Sequence, residues 1–146
     1  MNKTMKVRLA STEEDLLQAA KVLLQLRPQY DLPAILAQIS KQQEAGYQLA
    51  IVEHNNTVIC AAGFVITEKL AWGKYLYVDD LVSDEHSRSL GAGKEIITWL
   101  KHFAREQGCR ELHLDSGMQR KDAHRFYDRE GFDRTGYHFA VINLED

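Results

Sequence analysis

Between residues 75 and 103 the chain switches from strand to helix period through glycine. Tyr75 to Ser83 is a run of β-formers, and Arg88-Ser89-Leu90-Gly91-Ala92-Gly93 follows as an Arg-x-x-Gly-x-Gly loop. Ile96, Ile97, Leu100 and Phe103 then recur on one helical face until Gly108. Arg110 to Leu114 reads as another strand, which makes the helix a crossover between strands. Such a unit calls for a sheet covered by helices. Glycines let the backbone approach a bulky ligand closely. The free N–H groups and positive dipole end of a helix start favour a phosphate or diphosphate. The junction is therefore a candidate anion cradle.

Spacing rejects the two commonest cradles. A nucleotide P-loop needs a Ser or Thr hydroxyl after Gly-Lys to hold a metal, whereas Gly93-Lys94 is followed by Glu95. A dinucleotide fingerprint needs a third glycine, and Ile96 stands in its place. No Gly-x-Ser-x-Gly elbow supports a serine hydrolase. The histidines His113, His124 and His138 lie far apart, with no His-x-x-x-His or Cys-x-x-Cys pair to anchor a metal.

The rest of the chain supplies the layers. Lys6 to Ala10 reads as a first strand, and Ser11-Thr12-Glu13-Glu14 has capping-box spacing. Leu16, Leu17, Ala20, Leu23 and Leu24 predict the helix behind it, ended by Pro28. Asp31 and Pro33 open a second helix with Ile35, Leu36 and Ile39 as its stripe and Gly46 as its stop. Tyr47 to Glu53 and Val58 to Thr67 flank His54-Asn55-Asn56-Thr57, a hairpin turn. Lys121 to Arg129 predicts a short helix and Phe132 to Ile142 a last extended segment. The order β-α-α-β-β-β-α-β-α-β, hairpins first and a crossover later, points to a three-layer α/β/α sandwich on a mixed, partly parallel sheet.

With 146 residues and 45% hydrophobic content, the chain fits one domain with a real core. A net charge of −3, with both signs interspersed, offers no footprint for nucleic acid or an anionic membrane. Met1-Asn2-Lys3-Thr4-Met5-Lys6 lacks the apolar core of a signal peptide, and no run approaches the roughly 20 apolar residues of a membrane span. Cys60 and Cys109 have no metal-like spacing and are expected to be reduced, in or near the core. The expected location is cytoplasmic.

Two motifs carry a resemblance. Arg88, Gly91 and Gly93 fill the three defined positions of the Gln/Arg-x-x-Gly-x-Gly/Ala acetyl-CoA loop of the GCN5-related N-acetyltransferases (GNAT), with Ser89 where many members have glycine. The block Asp122-Ala123-His124-Arg125-Phe126-Tyr127-Asp128-Arg129-Glu130-Gly131-Phe132 resembles that family's Ala-x-x-Phe-Tyr…Gly-Phe pattern, and the element order matches from end to end. The resemblance implies a single N-acetyltransferase domain over residues 1–146, with acetyl-CoA as donor and no metal. It implies that Leu81, Val82 and Ser83 pair with the pantetheine arm as an added strand. Arg88, Ser89, Leu90, Gly91, Ala92, Gly93 and Lys94 would wrap the pyrophosphate, with Ser116 and His124 as further CoA contacts.

It also implies chemistry. Tyr127 would sit beside the thioester sulfur, and a phenol, with a pKa of roughly 10 against about 8.5 for a thiol, stays protonated and can donate to a departing thiolate. A primary amine must lose a proton before it attacks, and Asp79 and Asp80 are the candidate bases. Strand alternation sends them to opposite faces, Asp79 with Tyr75 and Tyr77, unless a bulge of the kind frequent in this family intervenes. A backbone N–H at the strand splay would polarise the carbonyl, and no covalent enzyme intermediate is needed. The expected acceptor is a small cationic amine. A protein N-terminal acetyltransferase and a noncatalytic acyl-CoA-binding regulatory module are the alternatives. Monomer and homodimer both stay open.

Overall fold

A computed structural model describes residues 5–145; Met1 to Thr4, part of the amino-terminal stretch read above for a leader, and Asp146 lie outside the described residues. The chain divides into two compact units, Met1–Leu114 and Asp115–Asp146. The first holds β1 (Met5–Leu9), α1 (Glu13–Leu26), α2 (Leu32–Glu44), β2 (Gln48–His54), β3 (Thr57–Lys69), β4 (Gly73–Ser83), α3 (Ala92–Glu106) and β5 (Glu111–Leu114). The second holds α4 (Lys121–Arg129).

The strands form one sheet in the order β1-β2-β3-β4-β5. The first three pairings are antiparallel, β2–β3 and β3–β4 as hairpins, and the last, across the α3 crossover, is parallel. The β2–β3 turn uses Asn55 and Asn56 at φ 52° and 62°, the left-handed pair that a two-residue hairpin requires and asparagine tolerates. One sheet face packs Leu49, Ile51 and Ala61 against Ala19, Ala20 and Leu23 of α1 and Ile35 and Ile39 of α2. On the other face α3 buries Ile96, Ile97 and Leu100, and its Phe103 meets Phe64 edge-on at 5.7 Å. Helices on both faces of a mixed sheet give the three expected layers.

Two local expectations shift. The capping box of α1 lies one residue later than Ser11/Glu14: Thr12 is the N-cap and Asp15 closes the box. Arg8 is the cause, since its two terminal nitrogens grip both Asp15 oxygens at 2.7 and 2.8 Å while Ser11 and Thr12 N–H groups donate to Oδ2. The segment 132–145 has no strand assignment and is almost wholly exposed. Its alternation of Tyr137, Phe139 and Val141 gives it strand character, but a strand also needs a ladder partner, and no ladder includes these residues.

Arg8 holds the Asp15 carboxyl well below the usual carboxylate range, aided by the two backbone N–H groups. A depressed carboxyl stabilises the fold at pH values above its unfolded pKa, roughly 3.9, and the contribution drains away as pH falls toward the folded value. Asp15→Asn is expected to cost about 1–3 kcal/mol at neutral pH. It should also flatten the acid limb of stability, read by urea unfolding between pH 3 and 7.

Candidate active site

The site is built on an irregularity in β4. The β3–β4 ladder pairs Gly63 with Asp80 but Phe64 with Val78, so Asp79 is an extra residue, a β-bulge. The bulge breaks the simple alternation that would send the two aspartates to opposite faces. Tyr77 stands opposite Val65, which packs on the α1/α2 face, and Asp80 and Val82 return to that same face. Asp80, and not Asp79 alone, is therefore in phase with Tyr75 and Tyr77.

Asp80 is fully engaged. Tyr47, 5% exposed, donates its hydroxyl to Oδ2 at 2.7 Å, and Arg27 Nε donates to Oδ1 at 2.9 Å. Arg27 reaches Asp80 because it is the C-cap residue of α1, with Pro28 barring any further turn. Its second arm donates to the Asp79 carbonyl at 3.1 Å, which ties down the bulge itself. Burial and the Asp80 charge push the Tyr47 phenol far above its ordinary pKa, so it remains a donor. The three residues line a pocket of about 100 Å³ with Leu23, Tyr30 and Ile39.

Asp79 is different. Its residue is exposed, yet the surrounding protein takes enough water from its carboxyl to raise the pKa, the charge of Asp80 raises it further, and Arg27 opposes. One carboxylate is thus fixed and paired, and the other is accessible and made more basic.

Gly63 makes this arrangement possible. A Cβ there would lie 1.6 Å from the Tyr47 hydroxyl oxygen and 2.2 Å from Cζ. The ring is buried and pinned to Asp80, so it cannot step aside without losing the bond.

Beyond the bulge, β4 has one neighbour. β5 pairs with it only from Tyr75↔Glu111 to Val78↔Leu114, whereas β3 continues alongside to Ser83. Leu81, Val82 and Ser83 thus lie along an edge that no described strand covers, the geometry that an extended arm with amide groups can complete. The Ser83 hydroxyl is turned to Cys60 Sγ at 3.6 Å. The Cys60 thiol is buried and pushed up to about 11, so it offers no thiolate at neutral pH.

The chain leaves β4 through Asp84, whose carboxylate accepts from Gln25 of α1 while the Glu85 N–H donates to Gln25 Oε1. A single 3₁₀ turn, Arg88–Leu90, leads to Gly91, which has φ 84° and caps α3 without any side-chain hydrogen bond. The first intrahelical bond returns from Glu95 to Gly91. Ala92, Gly93 and Lys94 therefore present N–H groups at the positive end of a 15-residue helix. Arg88, Ser89 and Lys94 are exposed around it. This uncapped, glycine-opened start fits a diphosphate, and with the open β4 edge it fits CoA.

Ser116, His124 and Tyr127 belong to the second unit. His124 Nε2 lies 2.7 Å from the Gly117 carbonyl, whereas its Nδ1 and the Ser116 hydroxyl are buried without a hydrogen-bond partner among the described residues. Orphaned buried polar atoms of this kind invite a ligand or water. Tyr127 packs edge-on against Phe126 and Phe132, and burial raises its pKa against the opposing charge of Arg120. Arg27, Tyr47, Gly63 and Gln25 were not visible as site residues in the sequence, because their roles depend on pairings across 16 to 60 positions.

The sequence profile described as the Acetyltransferase (GNAT) family matches residues 11–132. An uncharacterized N-acetyltransferase, YhdJ, of Bacillus subtilis is 30% identical over 131 residues, 88% of this chain and 92% of that protein. Among solved structures, the aminoglycoside N-acetyltransferase AAC(6')-Iy in complex with CoA superposes with a TM-score of 0.82 at 18% identity, covering 96% and 95% of the two chains. A transcriptional regulator from Bacillus halodurans superposes at 0.81 with 22% identity, covering 94% and 99%.

Tyr47→Phe removes one of the two bonds to Asp80 and is expected to destabilise the protein by about 1–3 kcal/mol. Gly63→Ala, which displaces the whole ring, should cost at least as much. The pair Gly63→Ala/Tyr47→Phe should lose less than the sum of the singles, because both act on one network. Thermal and urea unfolding of the three variants check this.

Proposed function

The chain belongs to the acetyltransferase (GNAT) family and is an acetyl-CoA-dependent N-acetyltransferase; from that premise we propose that it acetylates a primary amine of a small cationic molecule by direct attack. The observation that carries the proposal is Asp79, an accessible carboxyl with a raised pKa, on the bulge that precedes the open β4 edge. Asp80 already has both oxygens engaged by Arg27 and Tyr47, so we assign the proton-accepting role to Asp79, directly or through one water. The domain is read as residues 1–146, acting in the cytoplasm, as a monomer or homodimer.

In this reading Leu81, Val82 and Ser83 hold the pantetheine arm by backbone pairing. Arg88, Ser89, Leu90, Gly91, Ala92, Gly93 and Lys94 wrap the pyrophosphate, with Ser116 and His124 as added polar contacts. A β4 backbone N–H polarises the thioester carbonyl while the neutral amine attacks it. The carbonyl carbon forms its bond to nitrogen, the carbon–sulfur bond breaks, and Tyr127 gives its proton to the departing thiolate. Support for Tyr127 comes from the family pattern around it and from its raised pKa, which keeps it protonated. A small acceptor is favoured by the name of a structural neighbour, an aminoglycoside acetyltransferase, and by the acidic and aromatic face of β4.

Thiol release from acetyl-CoA, measured against polyamines, aminoalkyl compounds, amino acids and short peptides, tests the proposal. Turnover with small amines is expected, with kcat lowered by about 10²-fold or more in Asp79→Asn. Tyr127→Phe should lower kcat while acetyl-CoA still binds. Turnover confined to peptides would move the acceptor to a protein N-terminus, and none at all with acetyl-CoA bound would favour a noncatalytic module.

A further inference from the structure

The β3–β4 hairpin carries a cluster that the acetyl-transfer chemistry leaves unused. β3 ends at Lys69 and β4 begins at Gly73, so Trp72 sits in the connecting turn. The Trp72 ring meets Tyr75 edge-on at 4.9 Å and 87°, which makes two adjoining walls. The Lys69 ammonium rests between them, 3.5 Å from the Trp72 centroid and 5.3 Å from that of Tyr75. His113 backs the indole in a parallel stack at 3.4 Å and is itself tied to Glu111 at 2.7 Å.

Electron-rich ring faces at right angles hold cations, and substituted ammonium groups best of all because they shed water easily. Here the cage is formed and a cation is already in it. That cation belongs to an exposed, flexible side chain, and an exposed contact of this kind is worth only roughly 0.5–1 kcal/mol. A ligand ammonium therefore displaces it at little cost.

We propose that the Trp72–Tyr75 cage is a second cation subsite, in which an ammonium group of the acceptor replaces that of Lys69. Tyr75 and Asp79 lie on the same strand, four residues apart, which at about 3.3 Å per residue is roughly 13 Å. The acceptor class is thus an oligoamine or amino-bearing molecule with two cationic centres about that far apart, one acetylated and one held. This inference rests on the proposed small cationic acceptor, but the cage can be tested without turnover.

The probe is the tetramethylammonium ion, which has no N–H to acetylate. Its methyl proton signal, followed by saturation-transfer NMR with the full chain, should report binding with aromatic contact. Lys69→Met, a substitution at an exposed position, should tighten that binding about two- to fivefold by removing the competing ammonium, and Trp72→Leu should abolish it. In the thiol-release assay, the ratio of kcat/KM for a long diamine to that for a monoamine of similar length should rise in Lys69→Met and fall in Trp72→Leu. Unchanged tetramethylammonium binding in Lys69→Met overturns the subsite whether or not any amine is turned over. Turnover of amines with an unchanged ratio in both variants overturns its role in acceptor choice and leaves the acetyl-transfer reading standing.

Discussion

A carboxylate drawn out of water costs several kcal/mol unless its oxygens find donors, and Asp80 finds a donor for each of its two oxygens. Arg27 comes from the end of α1 and Tyr47 from the residue before β2, and each takes one oxygen. The bond network therefore joins β4 to the helical layer at the point where β4 departs from regular pairing. Arg27 also holds the Asp79 carbonyl, so the bulge is fixed by the same group that satisfies the partly buried carboxylate. Without Gly63 opposite, the Tyr47 ring has no room to reach Asp80.

The bulge has two consequences that run in opposite directions along the strand. Toward Gly73, β4 is paired on both sides and carries Tyr75 and Tyr77 on the α1/α2 face. Toward Ser83 it keeps only β3, and its other edge leads to the glycine-opened start of α3. In the proposed function, the side chains assigned to the acceptor and the backbone assigned to the donor are thus separated on a single strand. Asp79 lies at the changeover, where the loss of water around its carboxyl and then the charge of Asp80 raise its basicity.

Much of this was legible in the sequence. The glycine spacing at 91 and 93, the helix behind it and the crossover to residues 110–114 specify a layered α/β fold, because loop chemistry and hydrophobic period are local properties. The Asn55-Asn56 turn and the C-terminal ends of α1 and α2 were readable for the same reason. What the one-dimensional pattern could not supply was the partner of each polar group. Strand alternation alone puts Asp79 and not Asp80 on the face of Tyr75 and Tyr77, and only the register against Gly63 and Phe64 shows the bulge that returns Asp80 to it. Arg8 shifts the α1 cap by one residue from 7 positions away, beyond the window in which a capping box is read. Segment 132–145 shows the converse, since alternation alone does not supply a ladder.

The central claim is that the loss of water around its carboxyl, together with the neighbouring charge of Asp80, makes Asp79 a better base than an ordinary aspartate. Carboxyl-carbon NMR titration of Asp79, in the wild type and in Asp80→Asn, tests it most directly. The account predicts an Asp79 midpoint above roughly 3.9 in the wild type and a lower one in Asp80→Asn, where the neighbouring charge is gone and Arg27 is released. A midpoint at or below the ordinary value, or one that Asp80→Asn leaves in place, would contradict it.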